Sequence, residues 1–359
     1  MERLRDKIGQ LFLVGVQGET ITGDERLYLQ EYGFGGFLLF KRNCGATSQI
    51  VALCRALWNL GDELPPFIAI DQEGGRVHRL PPPFTHFPPA ARLGQENNPN
   101  LAYRVGQATA AELALAGINL DCAPVLDVNS NPENPVIGDR SFGADPAAVG
   151  TMGLSWCQGL RDGGVIPCGK HFPGHGSTDK DSHLDLPSVV KSIAELNATD
   201  LPPFVHACRH KIEALMTAHV HYPALDSQWP ATLSKKIVTG LLRQQLGYGG
   251  LVFSDDMEMK AISDRYAVEE AVLLSIRAGI DVLIFCHELP KAVQACEFLC
   301  AESEKDASLR ERVYESHARI VKIKRRFLRS FTGAAGDELA ERLVRLDHGR
   351  LIAEIYGNL

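Results

Sequence analysis

Eight short apolar runs recur along the chain at regular intervals, and they restrict its fold more than any other feature. In order they read QLFLVG, GGFLLF, PFIAID, INLDCAPVLD, VIPCGKHF, EALMTAHV, GLVFSDD and DVLIFC. Each is apolar almost throughout rather than alternating, which is the pattern of strands buried on both faces of a parallel sheet. Stretches with helical spacing lie between them, among them Ser48 to Leu60, Asn100 to Ala116, Pro146 to Asp162, Ile193 to His210, Ser234 to Leu246 and Val268 to Ala278. Eight strands alternating with helices predict an α/β fold, a single (β/α)8 TIM barrel.

After DVLIFC the sequence stays helical through Arg329 and then carries ELAERLVRLDHGRLIAEIYG, whose charges describe solvated helix faces. No linker marks off a second domain. Residues 1–359 are therefore expected to form one catalytic barrel with a helical extension over about 300–359.

Composition narrows the function classes. Of 359 residues, 45% are hydrophobic, enough for a large core, and the formal net charge of -7 offers no basic face for nucleic acid. The N-terminal run LFLVGV is too short for the core of a signal peptide or a membrane span, and no later segment approaches about 18 apolar residues. A cytoplasmic protein with no membrane or nucleic-acid partner is expected. Nine scattered cysteines, with no CxxC pair among them, read as buried reduced thiols rather than a disulfide framework or zinc cage.

In such barrels, reactive residues gather where the strands end and on the loops that follow. Here those ends hold Lys41, Arg42, Asp71, Asp127, Lys170, His171, His219, His221, Asp255, Asp256 and His287. So one-sided a distribution favours an enzyme.

Four clusters carry candidate chemistry. The first, KHFPGHGSTDKDSHLDLP, opens at Lys170 and begins a connection of about twenty residues, well beyond the two to six usual in such folds. A metal reading would use His171, His175, Asp181 and His183, but the proline and glycine of HFPGH keep its two histidines off a shared helix face. An acid/base reading uses Asp181 and His183, where a carboxylate orients an imidazole for proton transfer near neutral pH. A solvated DSH turn is the plain alternative. The second cluster, FSDDMEMK, presents Asp255 and Asp256 at the seventh strand's end; one could serve as nucleophile or metal ligand while the other caps the next helix, and strand parity does not choose between them. In the third, IDQEGGRVHRL, Asp71 suits vicinal sugar hydroxyls, a Gly74-Gly75 pair allows a tight turn, and Arg79 follows. The fourth, NPVIGDRSFG, is a loop carrying Arg140, a residue type that in isolation is usually solvated or in a surface ion pair.

Together, DQEGGRVHR, IGDRSF, KHFPGHG with its DSH, and SDD resemble the β-N-acetylhexosaminidases of glycoside hydrolase family 3, and most closely the cytoplasmic members of peptidoglycan recycling. The resemblance spans about the first 290 residues and implies Asp255 as nucleophile, His183 as general acid/base and Asp181 as its dyad partner. It further implies Asp71, Arg79, Arg140, Lys170 and His171 as sugar-binding residues, with no cofactor and no metal. The activity so implied is that of a retaining, monomeric exo-β-N-acetylglucosaminidase. It would remove non-reducing terminal β-1,4-linked GlcNAc from muropeptides (GlcNAc-1,6-anhydroMurNAc with or without peptide) in cell-wall turnover. A retaining phosphorylase that uses phosphate as acceptor is the nearest alternative, followed by a metal-dependent amidohydrolase on the same barrel and a non-catalytic sugar-binding barrel.

Overall fold

The computed structural model describes residues 3–61, 64–178, 182, 185–335 and 338–357. Eight parallel strands close into a barrel in chain order: β1 (Phe12–Gly15), β2 (Gly36–Leu39), β3 (Phe67–Ile70), β4 (Leu120–Asp121), β5 (Ile166–Phe172), β6 (Ala214–Thr217), β7 (Leu251–Asp256) and β8 (Val282–Phe285). Pairing of β8 with β1 through Phe12 and Leu283 shuts the ring. Every predicted run supplies one of these strands, and all but the polar tip of β7 is buried on both faces.

The departures have local causes. The run INLDCAPVLD yields only two residues of strand, because Pro124 has no N–H to give a ladder. Beyond β4 the chain still follows β5 by isolated bonds, Cys168 N–H to Ala123 O at 3.1 Å and Lys170 N–H to Pro124 O at 3.1 Å. The predicted helix Ile193 to His210 is two helices, Ile193–Ala198 and Pro202–Arg209, since Pro202 and Pro203 fit only a first turn. The segment predicted helical from Ser234 to Leu246 is a wider π-type turn set over Lys236–Gln245.

After β8, helices Leu289–Lys305 and Ala307–Phe327 complete the outer ring. Helices Leu339–Leu346 and Gly349–Ile355 then fold back on the barrel, burying Leu339, Leu343, Leu351 and Ile355. Arg104 with Glu354 at 2.8 Å and His348 Nδ1 with Glu112 at 2.9 Å tie them down.

Buried charge closes the N-terminal end of the barrel. Asp281, just before β8, lies 2.5 Å from Arg243, 2.7 Å from Arg312 and 3.1 Å from Arg319. Burial alone would raise its pKa, but the three guanidiniums hold it below the usual carboxylate range. All nine cysteines are free thiols, eight of them buried. Among the described residues, no helix is long and apolar enough to cross a membrane.

Candidate active site

At the C-terminal ends of the strands lies a cavity of about 230 Å3. That is below the roughly 300–1,000 Å3 of drug-sized sites, so it suits one sugar unit rather than an oligosaccharide.

One wall is a chain of alternating charges. Lys170, on β5 with a side chain only 2% exposed, places Nζ 2.7 Å from Asp71 Oδ1 and 2.6 Å from Glu73 Oε1. Glu73 in turn accepts a fork from Arg140, Nε and Nη2 each at 2.8 Å. At the other end, Arg79 Nη2 reaches Asp71 Oδ2 at 3.4 Å. Burial pushes both carboxyl pKa values up, yet the surrounding cations outweigh it and hold Asp71 and Glu73 low. The same neighbours overcome the burial cost for Lys170 and Arg140, whose pKa values are raised. Arg140 is thus no solvated loop arginine. Its side chain is 12% exposed, in a buried ion pair.

The DQEGGRVHR segment brings this wall together by folding on itself. Gln72 donates its backbone N–H to Asp121 at 3.0 Å and accepts the Arg79 N–H at 3.0 Å, while Glu73 N–H meets Val77 O at 3.0 Å. Gly74 and Gly75 turn the chain at φ 86° and 52°, and a Cβ on Gly74 would sit 2.6 Å from Pro88 O. Arg76 then locks this turn to the loop that carries Arg140, with Nε 3.0 Å from Asp139 and Nη2 3.1 Å from Ile137 O.

Histidines floor the cavity. His171 Nδ1 lies 2.7 Å from Asp127 Oδ2, which commits that nitrogen and leaves Nε2 for a ligand. His175 is fully engaged in structure: its N–H meets Asp127 Oδ1 at 2.6 Å, Nδ1 lies 3.0 Å from Thr178 Oγ1 and Nε2 lies 2.9 Å from Ser182 Oγ. Burial, together with nearby His171, pushes its pKa down to about 4, so the ring is neutral. Asp181 and His183 lie outside the described residues. Among the described residues, no three His, Cys, Asp or Glu side chains are grouped as metal ligands.

The facing wall comes from β7 and β8. Asp255 and Asp256 both line the cavity, but they are used differently. Asp256 Oδ1 accepts the backbone N–H groups of Glu258 at 3.0 Å and Cys286 at 3.3 Å, so it braces the turn after β7 against the end of β8. It does not cap the next helix as expected, since Lys260–Ser263 starts after Met259 with no side-chain cap. Asp255 Oδ1 accepts the Asp256 N–H at 2.8 Å. The buried His219 fixes this strand end by binding Asp256 O at 2.9 Å. Phe40 and His287, with ring centroids 5.8 Å apart, form the rim.

Residues 3–323 match the model of the glycosyl hydrolase family 3 N terminal domain. The chain belongs to glycosyl hydrolase family 3. Among its relatives, a β-hexosaminidase of Thiobacillus denitrificans is 39% identical over 286 residues, 78% of this chain and 79% of that protein. One of Neisseria meningitidis serogroup C is 38% identical over 285 residues, 77% and 78% of the two chains. A solved family 3 β-N-acetylglucosaminidase from Paenibacillus superposes with a TM-score of 0.88 at 37% identity, over 96% of this chain and 68% of that one. NagZ from Neisseria gonorrhoeae, in complex with N-trifluoroacetyl-D-glucosamine, does so at 0.73 and 31% identity, over 94% and 97%. This family 3 enzyme is a glycoside hydrolase of the β-N-acetylhexosaminidase type. That sets aside the amidohydrolase and non-catalytic readings.

Within this family 3 site, Asp71, Arg79, Arg140, Lys170, His171 and Asp255 all line the one cavity. Sequence reasoning missed Glu73 and gave no role to Asp127, Arg76 or Ser182. Glu73 had a signal, an acid two residues past a strand-end aspartate inside a charged turn. For Asp127 the signal was its place at the end of the fourth apolar run.

Proposed function

We propose that this enzyme is a retaining exo-β-N-acetylglucosaminidase. It would remove non-reducing terminal β-1,4-linked GlcNAc from peptidoglycan fragments, GlcNAc-1,6-anhydroMurNAc with or without peptide, as a cytoplasmic monomer. Residues 1–359 act in this reading as one catalytic unit, with the helices of about 300–359 bracing the barrel. The observation that carries it is convergence: five motif residues able to hold sugar hydroxyls share a one-sugar cavity with the Asp255 carboxylate.

In the reaction so read, Asp71, Arg79, Arg140, Lys170 and His171 hold the GlcNAc ring. The Asp255 carboxylate attacks the anomeric carbon as the glycosidic C–O bond breaks, and His183 gives its proton to the departing oxygen. Asp181 holds the His183 tautomer. The neutral imidazole then takes a proton from water, water attacks the same carbon, and the ester bond to Asp255 breaks to release the sugar with net retention. Most retaining glycosidases use a second carboxylate in place of that histidine. An imidazole avoids the repulsion that a second carboxylate would offer an anionic nucleophile.

The phosphorylase reading would bring phosphate to the same carbon. Against it stands the charge of the site, where among the described lining residues the carboxylates Asp71, Glu73 and Asp255 match the three full cations Arg79, Arg140 and Lys170. Asp256, partly protonated near neutral pH, adds no positive charge, so no cationic excess awaits a phosphate. Trapping with a slow fluorinated GlcNAc donor and mapping the labelled peptide tests the nucleophile; a label on any residue but Asp255 would refute that assignment. The sugar product formed with and without phosphate tests the acceptor. Free GlcNAc in both cases is the expected result, and a sugar 1-phosphate would reverse the reading.

A further inference from the structure

We propose that Glu73 is a positioning and specificity-determining residue that makes the cavity receive a neutral sugar and turn away an anionic ligand. The inference rests on the reading of this cavity as the sugar site.

Both oxygens of Glu73 are already occupied by cation donors. Oε1 takes Lys170 at 2.6 Å and Arg140 Nη2 at 2.8 Å, and Oε2 takes Arg140 Nε at 2.8 Å. With its side chain 5% exposed, Glu73 has little to offer a ligand directly. What it does is set how Lys170 and Arg140 meet one. An ammonium has three N–H groups, and those of Lys170 are drawn toward Asp71 and Glu73 on two sides, leaving one direction for a ligand. Arg140 is similarly fixed in its plane by the fork and by Val136 O at 3.2 Å.

The two cations therefore present oriented donors whose charge is balanced. A sugar hydroxyl needs only the donor. A phosphate, sulfate or sugar carboxylate gains from the donors too, but it meets the charges of Glu73 and Asp71 in the same bed, where low polarity weakens screening. Without Glu73, Arg140 and Lys170 would face the cavity with Asp71 as their one remaining contacting carboxylate and Asp255 and Asp256 only on the opposite wall, a bed closer to the kind that binds phosphate. A merely structural Glu73 would instead be a pin for the loop bearing Arg140. That loop has a second pin on its outer side, Arg76 with Asp139 at 3.0 Å, so replacing Glu73 need not release it.

The experiment compares Glu73→Gln, Glu73→Asp and the double variant Glu73→Gln/Arg140→Gln with the unaltered enzyme. Hydrolysis of an aryl β-N-acetylglucosaminide is inhibited by GlcNAc and, separately, by inorganic phosphate at constant ionic strength, with thermal unfolding as a check of fold. Phosphate should inhibit Glu73→Gln at least roughly tenfold more strongly than the unaltered enzyme, with KM for the glycoside raised several-fold and kcat changed less. Glu73→Asp, which keeps the charge, should restore resistance to phosphate, and so should the double variant, which removes a cation with the anion. Loss of glycoside affinity in Glu73→Gln with no gain in phosphate inhibition would reduce Glu73 to a structural pin and overturn the proposal. If Glu73→Gln does not fold, phosphate sensitivity rising in the aspartate or double variant overturns it equally, and resistance in both supports it. Failure of GlcNAc to compete in the unaltered enzyme would remove the sugar-site reading itself, a separate result from the phosphate comparison.

Discussion

Asp127 holds His171 from two directions, accepting its backbone N–H at 3.1 Å through Oδ1 and its ring Nδ1–H at 2.7 Å through Oδ2. Burial raises the Asp127 pKa, but His171 and His175 outweigh it and keep the carboxyl ionised. An ionised carboxylate only accepts, so Nδ1 carries a proton and donates it to Asp127, and the other ring nitrogen, Nε2, is the one left for a ligand in the cavity. Asp127→Asn should keep the backbone contact yet present an N–H to Nδ1, favouring the other tautomer. We expect KM for an aryl GlcNAc glycoside to rise about tenfold with a smaller fall in kcat, since the change acts on binding geometry. Steady-state kinetics read this directly; an unchanged KM would show that His171 orientation does not matter to the sugar.

Asp255 and His183 are expected to fail in different ways. Asp255→Ala should lose turnover by about a thousandfold or more while still binding GlcNAc in calorimetry. His183→Ala should slow glycosides with poor leaving groups far more than activated aryl glycosides, which need little proton assistance. Equal losses across a leaving-group series would argue against the acid role of His183.

Asp256 gives the enzyme a pH-dependent weakness. Burial first, and the neighbouring Glu258 and Asp255 after it, raise its pKa from 3.8 to about 7, against the pull of the backbone N–H of Glu258. The folded state thus keeps a proton that the unfolded chain releases near pH 4. Stability tied to this group is complete below that pH and is lost as pH rises through about 7. Asp256→Asn does not titrate and keeps an oxygen for the Glu258 and Cys286 N–H groups. Its Tm relative to the unaltered enzyme should be unchanged near pH 4 and higher above pH 7, by an equivalent of a few kcal/mol at most, on the order of 4. Thermal unfolding from pH 4 to 9 measures it, and a constant difference would contradict it.

The strands were legible because burial on both faces leaves an uninterrupted apolar run, as in VLIF or FIAI. Strand ends were legible for the same reason, since Asp71, Lys170 and Asp255 interrupt apolar sequence where the chain leaves the barrel. Pairing was not. Glu73 and Arg140 are 67 positions apart and Asp127 and His171 are 44 apart, and only closure of the ring sets which cation each carboxylate reaches. The break of the Ile193 to His210 helix was in plain view at Pro202 and Pro203, but helical spacing on both sides concealed it. The proton-transfer pair, Asp181 and His183, rests on motif alone.

The two stems of the long connection after β5 are joined at its base by a polar clamp. Lys191 Nζ lies 2.7 Å from Asp200 Oδ2, 2.6 Å from Ser177 Oγ and 2.9 Å from Thr199 Oγ1, and Ser177 reaches Asp200 Oδ1 at 2.5 Å. Ser177 enters the segment containing His183 and Lys191 leaves it, so Asp200, whose side chain is 1% exposed, fixes the distance between the stems. Lys191→Met removes the cation and leaves that buried carboxylate with hydroxyl partners. The cost should be about 2–4 kcal/mol, toward the low side because Lys191 is itself partly exposed. If the clamp also sets where His183 stands, the variant should lose more activity on poor leaving groups than on activated ones, as His183→Ala does but to a smaller degree. Lys191→Arg, which keeps the charge, should recover most of both. A Tm loss with a flat leaving-group series would confine the clamp to stability.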